Sequence, residues 1–140
     1  MSDNKLEVEK VFNVSKGDNS IKGDWYIIQW IPDGVSGDRI SVGVLFINKN
    51  RMKHVYKFLD NSKQIGYFNP IFGYKSSFHI RLTIDEAKDI IEDEKKITYL
   101  SIEREMINLR IGYGGYASGA SYKEIINRLF DDVVKKPNMN

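Results

Sequence analysis

The sequence predicts an α+β fold: an antiparallel sheet of about four to five strands with two helices, the C-terminal helix packed on one face of the sheet. Three observations carry this. The stretch from Trp25 to Asn48 reads as two apolar strands joined by a polar loop, with the highest density of β-branched and aromatic residues in the chain. The connections that follow are too short for parallel crossovers, so the strands must run antiparallel. Beyond the Gly-rich stretch at 112–120, Tyr122, Ile125, Ile126, Leu129, Phe130, Val133 and Val134 recur at helical spacing.

Trp25–Ile31 is the first strand, apolar on both faces, with Trp25, Ile27 and Ile31 on one side and Tyr26, Ile28 and Trp30 on the other. That pattern belongs to a central strand covered on both sides. Pro32-Asp33-Gly34 supplies a turn. Ile40–Asn48 is the second strand, and Gly43 within it marks a bulge or a close approach. After the tight turn Asn48-Lys49-Asn50, a third strand is expected around 52–59, with His54, Tyr56 and Phe58 on one face.

The N-terminal part is read as loop over 15–24, after a short edge strand near Leu6 to Val11. The segment 60–77 is read as an irregular loop packing its own aromatics, and Phe78–Leu82 as a short extended piece. Thr83-Ile-Asp-Glu86 has the form of a capping box. It would open a helix carrying Ile84, Ala87, Ile90 and Ile91. Residues 97–105 fit either state, and 106–111 alternate as a strand. Gly112–Ala120, GYGGYASGA, reads as a flexible flap. Ser121-Tyr-Lys-Glu124 is a second capping box, opening the C-terminal helix, which Pro137 ends.

At 140 residues the chain fits one domain, 1–140, with 1–10 and 137–140 as fraying ends. A formal charge of +2 is too small to argue for nucleic acid. There is no cysteine, so disulfide and thiolate chemistry are excluded. The opening MSDNKLEVEK is acidic and polar, unlike a signal peptide. No apolar run approaches the roughly 20 residues that cross a bilayer. A soluble, cytoplasmic protein without a membrane partner is expected.

Tyr26-Ile-Ile-Gln-Trp-Ile-Pro-Asp33 and Asp38-Arg-Ile-Ser-Val-Gly-Val-Leu45 resemble the opening of a bacterial family of unknown function, often encoded beside HipA-like kinase-domain proteins. Leu129-Phe-Asp-Asp-Val-Val134 is similar to that family's final helix. Asp38 stands where the family has Glu, and Ser41 where it has Asn. The resemblance implies a shared fold and a kinase-linked context, with no activity attached.

Candidate chemistry is sparse. Asp24, Asp33 and Asp38 flank one strand and its loop and could bind Mg²⁺, but turn chemistry explains Asp33, and Asp38 can pair with Arg39. His54 and His79 are the only histidines and lack metal-ligand spacing. No catalytic residue, metal ligand or cofactor is assigned. Residues 51–82 interleave cations and aromatics, and Arg51, Lys53, Lys57, Lys75, Arg81 and Tyr74 are candidates for anion or nucleic-acid contacts. The ordinary reading of that segment is core aromatics with solvated lysines. Tyr113, Tyr116 and Tyr122, with Arg110 and Lys123, suit a protein interface, where tyrosine is enriched.

The expected function is that of a small non-enzymatic interaction protein or inhibitor of bacterial or phage origin. Its protein partner would be a kinase-linked or host-defence component, held by the flap and the basic aromatic segment. The alternatives are a nucleic-acid or nucleotide-binding module using 51–82, and a small metal-dependent hydrolase using Asp33 and Asp38.

Overall fold

The computed structural model describes residues 20–32, 38–59 and 76–134. The described chain runs β1 (Ile21–Trp30), β2 (Ile40–Asn48), β3 (Lys53–Phe58), α1 (Ser76–Lys95), β4 (Arg104–Glu105), β5 (Leu109–Gly119) and α2 (Tyr122–Val133). The five strands form one antiparallel sheet in the order β3-β2-β1-β5-β4. The fold is α+β as expected, and the Trp25–Asn48 pair lies inside the sheet with β1 in the middle.

The two helices take opposite faces. Register puts Tyr26, Ile28 and Trp30 of β1 on the same side as Leu45 and Ile47 of β2 and His54, Tyr56 and Phe58 of β3. This is the α1 side, since His54 meets Glu92 of that helix. Ile80, Ile84, Ala87 and Ile91 of α1 are buried. The opposite side carries Trp25, Ile27, Val44, Phe46, Val55 and Lys57. Here α2 brings Ile125, Ile126, Leu129 and Phe130 over β2, β3 and the end of β5. Its Tyr122 ring meets Phe46 edge-on at 6.0 Å.

Several local devices fix these elements. Ser121 caps α2 by accepting from the Glu124 amide at 3.1 Å, and the Glu124 carboxylate accepts in return from the Ala120 amide at 2.7 Å. The β2–β3 turn is held by Asn48, whose Oδ1 accepts from the Arg51 amide at 3.3 Å, and closes through Met52 at φ 54°. Gly43 pairs with Phe58, and the phenyl ring occupies the space where a Cβ would stand. A β-bulge follows between Ile28 and Gln29.

The structure corrects five local expectations. Ile21–Asp24, read as loop, belongs to β1 and pairs with Gly119–Tyr116. Phe78–Leu82 is helical, because the buried 80-84-87-91 series begins a turn earlier than Thr83. Phe78 and Leu82 are exposed, and their alternation with Ile80 imitates a strand. Thr83 therefore caps nothing: inside α1 its hydroxyl donates to the His79 carbonyl at 2.9 Å. The expected strand at 106–111 starts at Leu109, and Met106–Asn108 form the turn after the two-residue β4. Finally, Gly112–Ala120 is not a flap: nearly all of it is β5, paired with the central strand along its length. The expected edge strand near Leu6, the Asp33-Gly34 turn, residues 60–75 of the expected 60–77 loop and Pro137 lie outside the described residues, while Ser76 and Ser77 of that loop begin α1.

Candidate functional site

The glycines of β5 explain why a strand can be written GYGGYASG. The guanidinium of Arg110 lies where a Cβ on Gly112 would point, and the Trp25 indole lies where one on Gly114 would point. At Gly114 a side chain would have to displace the Trp25 ring, whereas at Gly112 it would meet only the movable end of Arg110. A bulge between Trp25 and Tyr26, opposite Gly114, then returns Tyr113 and Tyr116 to the same face. Gly115, next to the bulge, takes φ 145°, which glycine adopts without strain.

On that face Tyr113 is 53% exposed and Tyr116 64% exposed. They sit opposite Tyr26 and Asp24 of β1. The Tyr113 hydroxyl donates to Asp24 Oδ1 at 3.0 Å, and its ring meets the buried Tyr26 ring edge-on at 5.6 Å. The Tyr113 amide donates to Glu103 Oε2 at 3.2 Å. The bond to Asp24 raises the Tyr113 phenol above its ordinary value. Burial first, then the carboxylates of Asp24 and Glu103, push Tyr26 up to about 12. The two tyrosines therefore stand on a rigid floor, with one of them pinned.

The remaining residues expected beside them are elsewhere. Arg110 is on the opposite face, donating to Gln29 Oε1 at 3.1 Å and facing Glu105 at 3.7 Å. Tyr122 is half-buried, accepting from Asn48 Nδ2 at 3.2 Å. Lys123 is exposed in the first turn of α2. The expected five-residue patch thus resolves into one pair, Tyr113 with Tyr116, and three separate positions. Asp24, weighed from sequence as a metal ligand, is what fixes Tyr113.

The basic candidates are also dispersed. Arg51 is in the β2–β3 turn. Lys53 and Lys57 lie on the α2 side of the edge strand: Lys53 sits 5.9 Å from the Tyr122 ring. Lys57 donates to Asn127 at 2.8 Å and covers Phe130 at 4.8 Å. Arg81 stands on α1 beside a cleft of about 360 Å³ whose lining also includes Lys88, Asp85, Tyr56 and Phe58. Tyr74 and Lys75 lie outside the described residues. Among the described residues no group of three or more His, Asp or Glu side chains is placed to hold a metal ion. Asp38 is exposed, and Asp33 lies outside the described residues.

Sequence reasoning missed a hydrogen-bonded chain. The His54 side chain is only 8% exposed. Its Nε2 lies 3.0 Å from Glu92 Oε2 and its Nδ1 2.7 Å from the Tyr99 hydroxyl. The carboxylate can only accept, so Nε2 donates, and Nδ1 of the neutral ring accepts from Tyr99. Tyr99 is 1% exposed and, with Thr98, adopts positive φ (60° and 58°). The chain ties the turn after α1 to the edge strand. Only the alternation of His54 with Tyr56 and Phe58 hinted at it.

No family model, curated protein or solved structure matches this chain. Among the described residues no helix is long and apolar enough to cross a membrane.

Proposed function

We propose that this chain is a small non-enzymatic binding protein that engages a protein partner through Tyr113 and Tyr116. The observation that carries this reading is the exposure of two tyrosine rings on one face of a strand paired with the central β1, with Tyr113 pinned by Asp24. Aromatic rings held in place before contact lose little freedom on binding, so more of their buried area is realised as affinity. Tyrosine is also among the residues that dominate interface energies. The resemblance of Tyr26–Asp33 and Asp38–Leu45 to a family encoded beside HipA-like kinases makes a component of a bacterial kinase-linked system our proposed partner class, with a phage-borne inhibitor of a host protein fitting the same surface.

The nucleic-acid reading has less support. Lys53 and Lys57 are turned to Tyr122, Asn127 and Phe130, and Asp85 sits in the cleft beside Arg81 and Lys88.

The test is a paired capture from the native host with wild-type protein and a Tyr113→Ala/Tyr116→Ala variant of unchanged circular dichroism. A protein retained by the wild type and lost from the variant supports the reading. Identical retention by both removes these tyrosines from the function. A band shift that weakens as salt rises would transfer the function to phosphate contacts.

A further inference from the structure

The two margins of the sheet are built differently. At one margin β3 carries Lys53 and Lys57, and lysine on an edge strand discourages a further strand from adding. At the other margin β4 covers only Arg110 and Ile111 of β5. Among the described residues no strand pairs along the outer side of β5 from Gly112 to Gly119. That stretch, GYGGYASG, has no charged side chain and no proline, so nothing in it guards the edge.

The outer side of β5 presents a row of backbone groups. Leu109 faces β4, its carbonyl accepting from the Met106 amide at 2.8 Å. Alternation then turns Tyr113 outward, and its amide donates to the exposed carboxylate of Glu103 at 3.2 Å. The bulge beyond Tyr113 shifts the phase by one residue, which turns Tyr116 and Ser118 outward. The Ser118 carbonyl accepts from the Arg128 guanidinium at 2.7 Å. Side chains thus stand at both ends of the row, where a neighbouring strand would bond.

An exposed row of amides and carbonyls is complementary to another extended backbone. The side chains beside it define what that backbone carries. Tyr113 and Tyr116 flank the row on the α1 face, and the carboxylates of Asp24 and Glu103 both bond to Tyr113. A Lys or Arg placed there meets negative charge and an aromatic ring together.

We propose that the protein partner supplies an extended, basic segment that adds to β5 as a further strand over Gly112–Gly119. This rests on the reading that Tyr113 and Tyr116 engage a protein. A carbonyl of the segment takes the Tyr113 amide from Glu103, and the released carboxylate meets the segment's Lys or Arg. Alternate side chains of the segment pack on the tyrosine rings, which select the sequence, while the backbone bonds supply affinity.

A displayed library of linear random dodecapeptides, selected on the full chain, tests this. Enriched peptides should alternate apolar residues, carry Lys or Arg and lack a central proline. N-methylation of the best peptide at one alternate set of amides should weaken binding about tenfold, and at the other set should leave it unchanged. Ser118→Pro removes an outward amide and spares the ladder to β1, so it should also weaken binding about tenfold. Should that variant fail to fold, the N-methylation series decides alone. No enrichment, indifference to N-methylation at both sets, or wild-type affinity in a folded Ser118→Pro would overturn the proposal. A peptide lost from Tyr113→Ala/Tyr116→Ala but kept by Ser118→Pro leaves the tyrosine reading standing and overturns strand addition. A peptide lost from Ser118→Pro alone supports strand addition and removes the tyrosines. A wild type that sediments as a dimer while Ser118→Pro is monomeric would give the edge to a second copy and overturn the proposal.

Discussion

The indole of Trp25 lies against Gly114 on the neighbouring strand, in the space a side chain there would fill. This contact converts a glycine-rich segment into a strand that carries the tyrosines on one face and the arginine on the other. Gly114→Ala should therefore destabilise the fold by about 1–3 kcal/mol, since the added methyl must displace a packed ring. Urea denaturation should show a lower midpoint with an unchanged slope. An unchanged midpoint would mean that Trp25 is not held there.

The His54–Tyr99 bond should matter for stability. Tyr99→Phe removes the donor to Nδ1 at a site closed to water, which should cost about 1–3 kcal/mol. Glu92 is 53% exposed, so Glu92→Gln should cost less. Chemical denaturation of the two variants side by side checks the order, and a larger loss from Glu92→Gln would contradict it.

Tyrosine ionisation reads out the pinned site. In a spectrophotometric titration Tyr26 should ionise at about 12, after exposed phenols. Its folded value is raised, so the stability it contributes is present below the ordinary phenol value near 10 and is lost as pH rises through about 12. Asp24→Asn should lower the values of both Tyr26 and Tyr113, because Asp24 acts on each. No change in either would remove Asp24 from the site.

Acid stability should depend on Glu94. Its carboxylate is 8% exposed, bound by Arg104 at 2.7 Å and by the Ser101 amide at 2.8 Å. The Arg104 bond, then the Ser101 bond, hold it below the ordinary carboxyl value. A depressed folded value contributes stability that is present above the unfolded value and lost as pH falls through the folded one. Glu94→Gln should lower the neutral-pH melting temperature and flatten its acid dependence. A variant whose acid profile parallels the wild type would exclude this role.

Much of the architecture was legible. The strand pair from Trp25 to Asn48 satisfies propensity and pattern, and the helix after Ser121 satisfies propensity, periodicity and capping, so local and global preferences agree. Two segments were misread because a local signal meant something else in three dimensions. Thr83-Ile-Asp-Glu86 has a cap's spacing, but Ile80 extends the buried stripe of α1 past it. Gly112, Gly114 and Gly115 carry a loop's composition, yet the first two make room for Arg110 and Trp25. No spacing rule links Trp25 to Gly114, since their proximity follows only from the register of β1 with β5. Remoteness in sequence likewise hides Asp24 from Tyr113 and His54 from Glu92. The candidate site was therefore legible by residue type but not by grouping.

Amide hydrogen exchange across Ile111–Ala117 tests the central claim most directly, because the tyrosine pair requires that segment to be a strand held by its pairing with β1. Amides bonded to β1 should exchange as slowly as those of β2, through opening of the whole sheet. Exchange at the rate of an open loop would contradict the account.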